Sequence, residues 1–97
     1  MATQLRRYEI AEGRMDDFLA FFPNMIPVRH QYGFSVDIGL VDRENNQFVW
    51  TSSYDGTVEE FKAAEAIYSV SPERMAVVGG AKGIVANMNI SMVDKAY

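Results

Sequence analysis

The segment FSVDIGLVDRENNQFVWTSSY, residues 34–54, contains two alternating apolar patterns joined by a polar loop. In its first half, apolar side chains fall on alternate positions, which is the period of a strand buried on one face. These positions are Phe34, Val36, Ile38 and Leu40. The second half, residues 47–54, alternates again, with Phe48, Trp50 and Tyr54 on one parity. A polar loop at residues 42–46 joins the halves, so we expect a β-hairpin whose register the loop leaves open.

Before the hairpin, residues 4–10 predict a short strand, and an interrupted helix follows from Arg14. The apolar positions of this helix have the spacing of one helix face. They are Met15, Phe18, Leu19, Phe22 and Ile26. Pro23 and Pro27 each disfavour helical geometry in the preceding residue and remove a backbone donor. We therefore expect a kink or break near Phe22, with a second helical piece that ends near Gln31.

After the hairpin, the sequence predicts two helices and a last strand. Thr57 and Glu60 have the spacing of a capping box, in which each side chain accepts a hydrogen bond from the other residue's backbone N–H. The buried face of this helix is expected to carry Val58, Phe61, Ala64, Ile67 and Tyr68. The Ser-Pro pair at residues 71–72 begins a short further helix, which the glycines at residues 79–80 end. Residues 84–93 alternate again and predict a strand.

The order of elements is therefore βαββα(α)β, with no linker, repeat or low-complexity stretch. With right-handed crossovers, this order most simply gives a four-stranded antiparallel sheet with the helices on one face. We predict one α+β domain, residues 1–97, with the fold of a ferredoxin-like sandwich.

Strand parity divides the side chains of the sheet into two faces. One face is apolar and is expected to lie under the helices; it carries Phe34, Val36, Ile38, Leu40, Phe48, Trp50, Met88, Ile90 and Met92. The other face is mixed; it carries Ser35, Asp37, Val41, Gln47, Val49, Thr51, Ser53, Asn87, Asn89 and Ser91. Two interpretations fit the mixed face. It faces water, as one side of an antiparallel sheet often does, or it lines a cavity closed by a second subunit.

The composition excludes several classes of function. The 97 residues include 9 Lys and Arg against 13 Asp and Glu, a formal charge of −4, with no cysteine and one histidine. Without cysteine, the chain has no disulfide, thiolate nucleophile or cysteine-ligated metal. The acidic balance argues against nucleic-acid binding, since phosphate recognition depends on basic charge. We therefore expect no metal, no cofactor and no nucleic-acid partner.

The beginning of the chain, MATQLRR, lacks the apolar core of a targeting signal. No window approaches the ~20 consecutive apolar residues that a membrane span needs, so no membrane partner is expected. These features predict a cytoplasmic location, and the absence of cysteine agrees with it.

Nearly the whole chain, residues 4–93, carries a series of short motifs in a recognisable order. They are LRRYEI at residues 5–10, Gly13, Phe18, Pro27-x-Arg29, Tyr32-Gly33-Phe34, Phe48-Val49-Trp50, Glu60, Ala66-Ile67-Tyr68 and Ser71-Pro72-Glu73. In this order they resemble the NIPSNAP-type proteins of the dimeric α+β barrel superfamily. The resemblance implies a ferredoxin-like protomer that pairs its sheet with that of a second subunit, closing a barrel with the helices outside. It implies no single reaction, because relatives range from cofactor-independent monooxygenases to haem-degrading enzymes and dimerisation modules.

Two hypotheses of function are consistent with these features. In the first, the chain is a homodimer that binds a small, partly apolar molecule in a cleft between sheet and helices. Its enzymatic version is a cofactor-independent monooxygenase, in which the cleft desolvates a substrate carbanion or phenolate. In the second, the chain is a non-catalytic dimerisation or interaction module with a packed barrel and no ligand. A cavity of ~300 Å³ or more distinguishes the first hypothesis from the second.

His30 is the candidate catalytic residue, because it is the one side chain whose ordinary pKa lies near neutrality and could serve as a general base. It comes four residues after Ile26, on or near the apolar stripe of the first helix. A structural or exposed histidine is the alternative. Asp37 or Asp55 would support a catalytic role if the fold brought one of them to the imidazole.

Arg29 and four aromatic residues are the candidate pocket residues. The aromatic candidates for holding a flat organic ligand are Trp50, Tyr54, Tyr8 and Tyr32. Ordinary core and edge packing is the alternative for these rings. Arg29 is expected to pair with a carboxylate on the ligand, and the alternative is a surface salt bridge.

Overall fold

The secondary structure follows the order that the periodicity predicts. The structure is a computed structural model that describes residues 1–97. Its strands are β1 (Ala2–Ile10), β2 (Phe34–Asp42), β3 (Gln47–Tyr54) and β4 (Val85–Val93). Its helices are α1 (Met15–Phe21), α2 (Met25–Gln31), α3 (Val58–Ser69) and α4 (Pro72–Val78). The predicted order βαββα(α)β is therefore confirmed.

The four strands form one sheet in the order β2-β3-β1-β4, and every neighbouring pair is antiparallel. The two hairpin strands lie at one side of the sheet, and the first strand lies between the third and the last. This is the strand order that results when two right-handed crossovers place their helices on the same face. The predicted ferredoxin-like α+β fold is confirmed.

The first helical segment is broken where its prolines predict. α1 ends at Phe21, a 3₁₀ turn occupies Phe22–Asn24, and α2 begins at Met25. Pro23 lies in this turn and has no N–H to continue the ladder of α-helical hydrogen bonds. The turn also directs the Phe22 ring into the core, where its centroid lies 4.9 Å from that of Phe48.

The predicted capping box at the beginning of α3 is present. The Glu60 backbone N–H donates to Thr57 Oγ1 at 3.1 Å, and the Thr57 backbone N–H donates to Glu60 Oε1 at 2.9 Å. These two bonds satisfy backbone donors that the first turn of a helix otherwise leaves without partners. The predicted start of this helix is therefore correct.

The predicted buried face of α3 is rotated relative to the observed one. Phe61 and Tyr68 are buried, as expected, but Val58 is exposed and Ile67 is 63% exposed. The inward stripe runs instead through Phe61, Glu65 and Tyr68, which have the i, i+4, i+7 spacing of one helix face. A glutamate therefore lies on the inner side of this helix.

A bulge in β2 changes which of its side chains face the helices. Val36 pairs with Ser52 and Ile38 with Thr51, so Asp37 is an extra residue in β2. Because side chains alternate along a strand, one extra residue sends every later side chain to the opposite face. Ile38 and Leu40 consequently lie on the face opposite the helices and are 50% and 54% exposed. The prediction that they lie under the helices is wrong.

Hydroxyl groups hold the bulged residue in place on the face of the sheet that no helix covers, which we call the open face. The Asp37 carboxylate accepts hydrogen bonds from Ser35 Oγ at 2.7 Å and from Ser53 Oγ at 2.6 Å. Thr3 Oγ1 lies 2.9 Å from Ser53 Oγ and extends this network to β1. The bulge is therefore fixed by side chains of three neighbouring strands.

The predicted burial is also wrong for part of β4. Met88 and Ile90 pair with Tyr8 and Arg6, so they share the helix face of the sheet, as predicted. Both are exposed, however, because β4 is an edge strand and no helix covers this part of it. The edge of the helix face therefore stays open at β4.

The core consists of two hydrophobic clusters on the helix face. The first is largely formed by β1, β3 and α1, and consists of Tyr8, Ile10, Met15, Phe18, Phe22, Phe48, Trp50 and Ile84. The second is formed mainly by α2, α3 and the hairpin, and consists of Ala2, Val28, Phe34, Phe61 and Tyr68. Polar and charged side chains lie between the two clusters, and this is where the candidate site is found.

A substitution at Gly39 tests the bulged register of β2. The bulge places Gly39 beside Trp50 on the helix face, where an added Cβ would lie 2.9 Å from Phe48 Cζ. The Phe48 ring cannot move away easily, because it packs against Phe18 and Phe22 at centroid distances of 4.9 Å. Gly39→Ala is therefore expected to lower the free energy of unfolding by about 1–3 kcal/mol in a urea titration.

Gly80→Ala is the matched control, since an added Cβ there meets open space. Its effect on the free energy of unfolding is expected to stay within about 0.5 kcal/mol. Equal stability of the two variants would contradict the bulged register of β2.

Candidate functional site

A cleft of about 590 Å³ lies between the sheet and the two pairs of helices. Its floor comes from β1, β3 and β4, and its walls come from α1 and α2 on one side and α3 and α4 on the other. The lining is mainly apolar, with Phe18, Phe21, Phe22, Met25, Ala66, Val78, Ala81, Val85 and Met88 among its residues. Polar and aromatic side chains converge on its inner part: Arg6, Tyr8, Arg29, Trp50, Glu65 and Tyr68.

Arg6 on β1 is the well-bonded cation of the cleft. Its Nε donates to Gln4 Oε1 at 2.7 Å, its Nη1 to Tyr8 OH at 2.8 Å and its Nη2 to Glu65 Oε2 at 3.0 Å. Burial alone would lower the pKa of Arg6, but the contacts with Tyr8 and Glu65 outweigh burial and raise that pKa above its usual value. Arg6 is therefore fixed and electrostatically compensated.

Arg29 on α2 is buried more deeply and is bonded less well. Only 3% of the residue is exposed, and its Nη1 lies 3.4 Å from Ser52 Oγ and 3.8 Å from Glu65 Oε2. Both distances are longer than those of a good charge-assisted hydrogen bond. Burial, and then the neighbouring charge of Arg6, hold the pKa of Arg29 below its usual value.

Aromatic rings surround the Arg29 guanidinium. Its central carbon lies 4.5 Å from the ring centroid of Tyr68, 4.9 Å from that of Trp50 and 5.3 Å from that of Phe34. At these distances the ring faces attract the cation and replace part of its lost hydration. The rings therefore hold the cation in a largely dry site, and they do not use up its N–H donors.

Three polar atoms of the inner cleft are buried without a hydrogen-bond partner. They are Arg29 Nε, Trp50 Nε1 and Tyr68 OH. Buried polar groups are almost always paired in folded proteins, because an unmade hydrogen bond leaves a desolvation penalty of about 1–3 kcal/mol. All three atoms belong to residues that line the same cleft, and each of them is able to donate a hydrogen bond.

The structure brings three of the five sequence-predicted pocket residues together in this cleft, namely Arg29, Trp50 and Tyr8. Tyr32 and Tyr54 lie elsewhere, in a second and shallower pocket of about 340 Å³ beside α3. The Tyr32 hydroxyl donates to Glu73 Oε2 at 2.6 Å, and this hydrogen bond raises the pKa of Tyr32. These two tyrosines therefore belong to a separate surface depression.

His30 does not line either pocket. It is exposed on α2, while its neighbour Arg29 is buried. Consecutive residues of a helix point about 100° apart, so the helix that directs Arg29 into the cleft directs His30 away from it. The cleft therefore contains no histidine.

Three of the polar and aromatic residues in the inner part of the cleft do not appear among the sequence-based candidates: Arg6, Glu65 and Tyr68. Arg6 has the same strand parity as Tyr8 and Ile10, which are both buried. This parity is a signal that could have placed Arg6 on the inner face. Glu65 and Tyr68 could have been found together from the i+4 and i+7 positions after Phe61.

No group of three or more His, Asp and Glu side chains is arranged to hold a metal ion. None of the helices combines the length and the apolar character needed to cross a bilayer.

The strand order defines the class of ferredoxin-like α+β folds, and solved structures of this class align over nearly the full chain. A NIPSNAP domain protein from Burkholderia xenovorans aligns with a TM-score of 0.84 and 17% identity, covering 99% of this chain and 95% of that chain. A NIPSNAP family protein from Agrobacterium tumefaciens aligns with a TM-score of 0.85 and 11% identity, covering 98% and 92%. An antibiotic biosynthesis monooxygenase aligns with a TM-score of 0.72 and 15% identity, covering 100% of both chains.

These similarities establish the fold. The predicted resemblance to the NIPSNAP-type proteins and their α+β barrel relatives is therefore confirmed at the level of the fold. No protein-family model matches the sequence, and a search of curated proteins gives no match. Function must accordingly be argued from the residues of the cleft.

Glu65 is the one carboxylate of the cleft, and the effect of removing its charge can be predicted from its contacts with Arg6 and Arg29. Glu65→Gln is expected to lower the free energy of unfolding by about 1–3 kcal/mol, because two buried guanidinium groups lose their shared counter-charge. The expected loss is below that of a fully buried ion pair, since a quarter of the Glu65 side chain is exposed. Denaturant unfolding of the purified variant measures the loss.

Arg43→Gln serves as the control, since it breaks the exposed pair between Arg43 and Asp16. Its expected effect on the free energy of unfolding is below about 0.5 kcal/mol. If the two variants lose the same stability, the cleft network is not electrostatically important.

Proposed function

We propose that the protein is a homodimer that binds a small, partly apolar molecule in the cleft between the sheet and the helices. The observation that carries this proposal is a cleft of about 590 Å³ in which three buried polar atoms lack partners. The volume falls within the range of about 300–1,000 Å³ that is typical of small-molecule sites. An apolar lining with a few convergent polar groups is also typical of such sites.

The alternative is a non-catalytic interaction module with a packed barrel and no ligand. A packed interior leaves few voids larger than a water molecule, and its polar groups are paired. The cleft differs from a packed interior in two ways. Its volume is about 590 Å³, and donor atoms of Arg29, Trp50 and Tyr68 are buried without hydrogen-bond partners. Both differences favour ligand binding.

The name of one similar structure, an antibiotic biosynthesis monooxygenase, raises the question of catalysis. A cofactor-independent oxygenation requires a carbanion or phenolate, and the sequence offered His30 as the base that forms it. His30 is exposed and lies outside the cleft. The geometry therefore supports binding and gives His30 no part in a proton transfer there.

The open face of the sheet supports the homodimer. Leu5, Thr51 and Ile38 lie in one row across β1, β3 and β2, and Val49 and Leu40 lie side by side in the next row. The four apolar members of these rows lie around Thr51, with Arg7 at the end of the second row, and Ile38 and Leu40 are half exposed. Exposed apolar side chains grouped in this way are typical of interfaces. A second copy that covers it with its own sheet would close the barrel that the resemblance implies.

Leu40→Glu tests the homodimer. A carboxylate among these apolar side chains would have to be buried without a partner, so the variant is expected to sediment as a monomer where the wild type sediments as a dimer. Ile67→Glu introduces the same charge on α3, away from the open face, and is expected to remain dimeric. A monomeric wild type, or a dimeric Leu40→Glu variant, would contradict the proposed interface.

The cleft is tested with N-phenyl-1-naphthylamine, a neutral dye whose fluorescence increases in apolar sites. One dye molecule per chain is expected to bind the wild type. Ala66 lines the cleft, so Ala66→Trp is expected to fill it and to abolish the fluorescence increase. Ala76→Trp on α4 lies outside the cleft and is expected to bind the dye like the wild type. Unchanged binding by Ala66→Trp would show that the dye occupies another site and would contradict the proposal.

A further inference from the structure

The compensation of charge in the cleft is incomplete at Arg29. Two guanidinium groups share Glu65, whose Oε2 lies 3.0 Å from Arg6 Nη2 but 3.8 Å from Arg29 Nη1. Arg6 completes its bonding with Gln4 and Tyr8, whereas Arg29 has only a 3.4 Å contact with Ser52 and an unpartnered Nε. A buried cation with so little compensation is costly, unless an anion completes the site.

The unpartnered groups around Arg29 require a hydrogen-bond acceptor. The Nε of Arg29 and the Nε1 of Trp50 can donate but cannot accept, and the Tyr68 hydroxyl is free to donate. The rings of Trp50 and Tyr68 both lie within 5 Å of the Arg29 guanidinium carbon, at 4.9 and 4.5 Å. A ligand group that offered further donors would leave these atoms without partners. A group with two or more acceptor oxygens would satisfy them.

The charges that line the cleft favour an anion as well. The basic residues of its lining are Arg6, Arg29, Lys62 and Arg74, and the one acidic residue is Glu65. The chain as a whole has the opposite sign, with a formal charge of −4. A basic cleft on an acidic protein attracts small anions selectively, because like charges elsewhere on the surface repel them.

The shape of the ligand follows from the rings of the cleft. Apart from Tyr68, the aromatic lining consists of Tyr8, Phe18, Phe21, Phe22 and Trp50. Such rings bind planar, apolar bodies well by stacking and edge contacts. They leave the cation of Arg29 as the polar end of the site, since its guanidinium lies against Trp50 and Tyr68.

We propose that the ligand of this cleft is a planar aromatic or conjugated carboxylate, and that Arg29 binds its carboxylate with the help of the Trp50 and Tyr68 donors. This inference rests on the proposed function, because it names the class of molecule that the cleft binds. It goes further by assigning a required charge to the ligand and by placing that charge at one residue.

A matched pair of probes tests the charge. 2-Naphthoate and 2-naphthamide have the same ring system and nearly the same size, but only the first is an anion. The wild type is expected to bind 2-naphthoate at least about tenfold more tightly in a calorimetric titration, as a charge-assisted hydrogen bond replaces a neutral one. Equal affinity for the two probes would overturn the inference.

The position of the ligand's carboxylate in the cleft can be tested by NMR, through the indole N–H signal of Trp50. Trp50 is the one tryptophan of the chain, so the ¹⁵N–¹H spectrum has one indole resonance. Saturating 2-naphthoate is expected to shift this resonance downfield, whereas 2-naphthamide is expected to leave it closer to its original position. A tighter binding of 2-naphthoate without any change at this resonance would place the anion elsewhere and would overturn the assignment.

Arg29→Met tests the residue itself, because it removes the charge and keeps a long apolar side chain. This variant is expected to lose the preference, binding the two probes within about threefold of each other. Arg43→Met is the control, since Arg43 lies in the exposed turn between β2 and β3 and does not line the cleft. It is expected to keep the full preference for 2-naphthoate. If Arg29→Met keeps it too, Arg29 does not bind the anion.

The comparison of the two probes uses the wild-type protein, so it stands even if Arg29→Met fails to fold. It is also separate from the test of the proposed function. If the dye binds the cleft and the two naphthalene probes bind with equal affinity, the cleft remains a binding site, but the requirement for an anion is overturned. If the dye does not bind in the cleft, the proposed function itself is overturned, whatever the two naphthalene probes show.

Discussion

Arg6, Glu65 and Arg29 form an ion network that lies between the two hydrophobic clusters of the core. These three side chains come from β1, α3 and α2, so the network connects the sheet with both helical layers. Charged groups cannot be packed closely into an apolar interior without a large desolvation penalty. The two hydrophobic clusters therefore form on either side of the network and do not merge into one core. The cleft is the consequence of this separation.

The element order could be predicted from the sequence because its signals are local. The break at Pro23 and the capping box of Thr57 and Glu60 depend on residues within one helical turn. The bulge at Asp37 is different, because it is a property of strand pairing. The alternation of residues 34–40 continues unbroken in the sequence, whereas one residue without a partner on β3 reverses the faces of Ile38 and Leu40. Sequence periodicity cannot reveal such a reversal.

The sequence suggests Arg29, Trp50 and Tyr8, which line the cleft, but it also suggests His30, which lies outside the cleft. The break in the first helical segment explains the difference between Arg29 and His30. In the sequence the apolar stripe of α1 continues through Phe22 to Ile26, and an uninterrupted helix would place His30 on or near the same face. The intervening 3₁₀ turn advances each residue further around the axis than an α-helix does, by about 60° in total over three residues. This rotation turns His30 away from the apolar face, so that it is exposed, whereas Arg29 stays on the inner side and is buried. Arg6 and Glu65 were missed because charged residues are expected at the surface.

The proposed interface and the proposed ligand site use opposite faces of one sheet. On β3, Val49 belongs to the open face and Trp50 to the cleft, so the two sites are one residue apart along the chain and separated by the thickness of the sheet. The sheet residues that line the cleft all lie on the helix face, opposite that interface. A dimer closed through Leu40 and Ile38 therefore contains two complete clefts, one in each protomer. Pairing of the sheets would stiffen the strands that carry Arg6 and Trp50 without adding a group to the site, so each protomer would hold its own ligand.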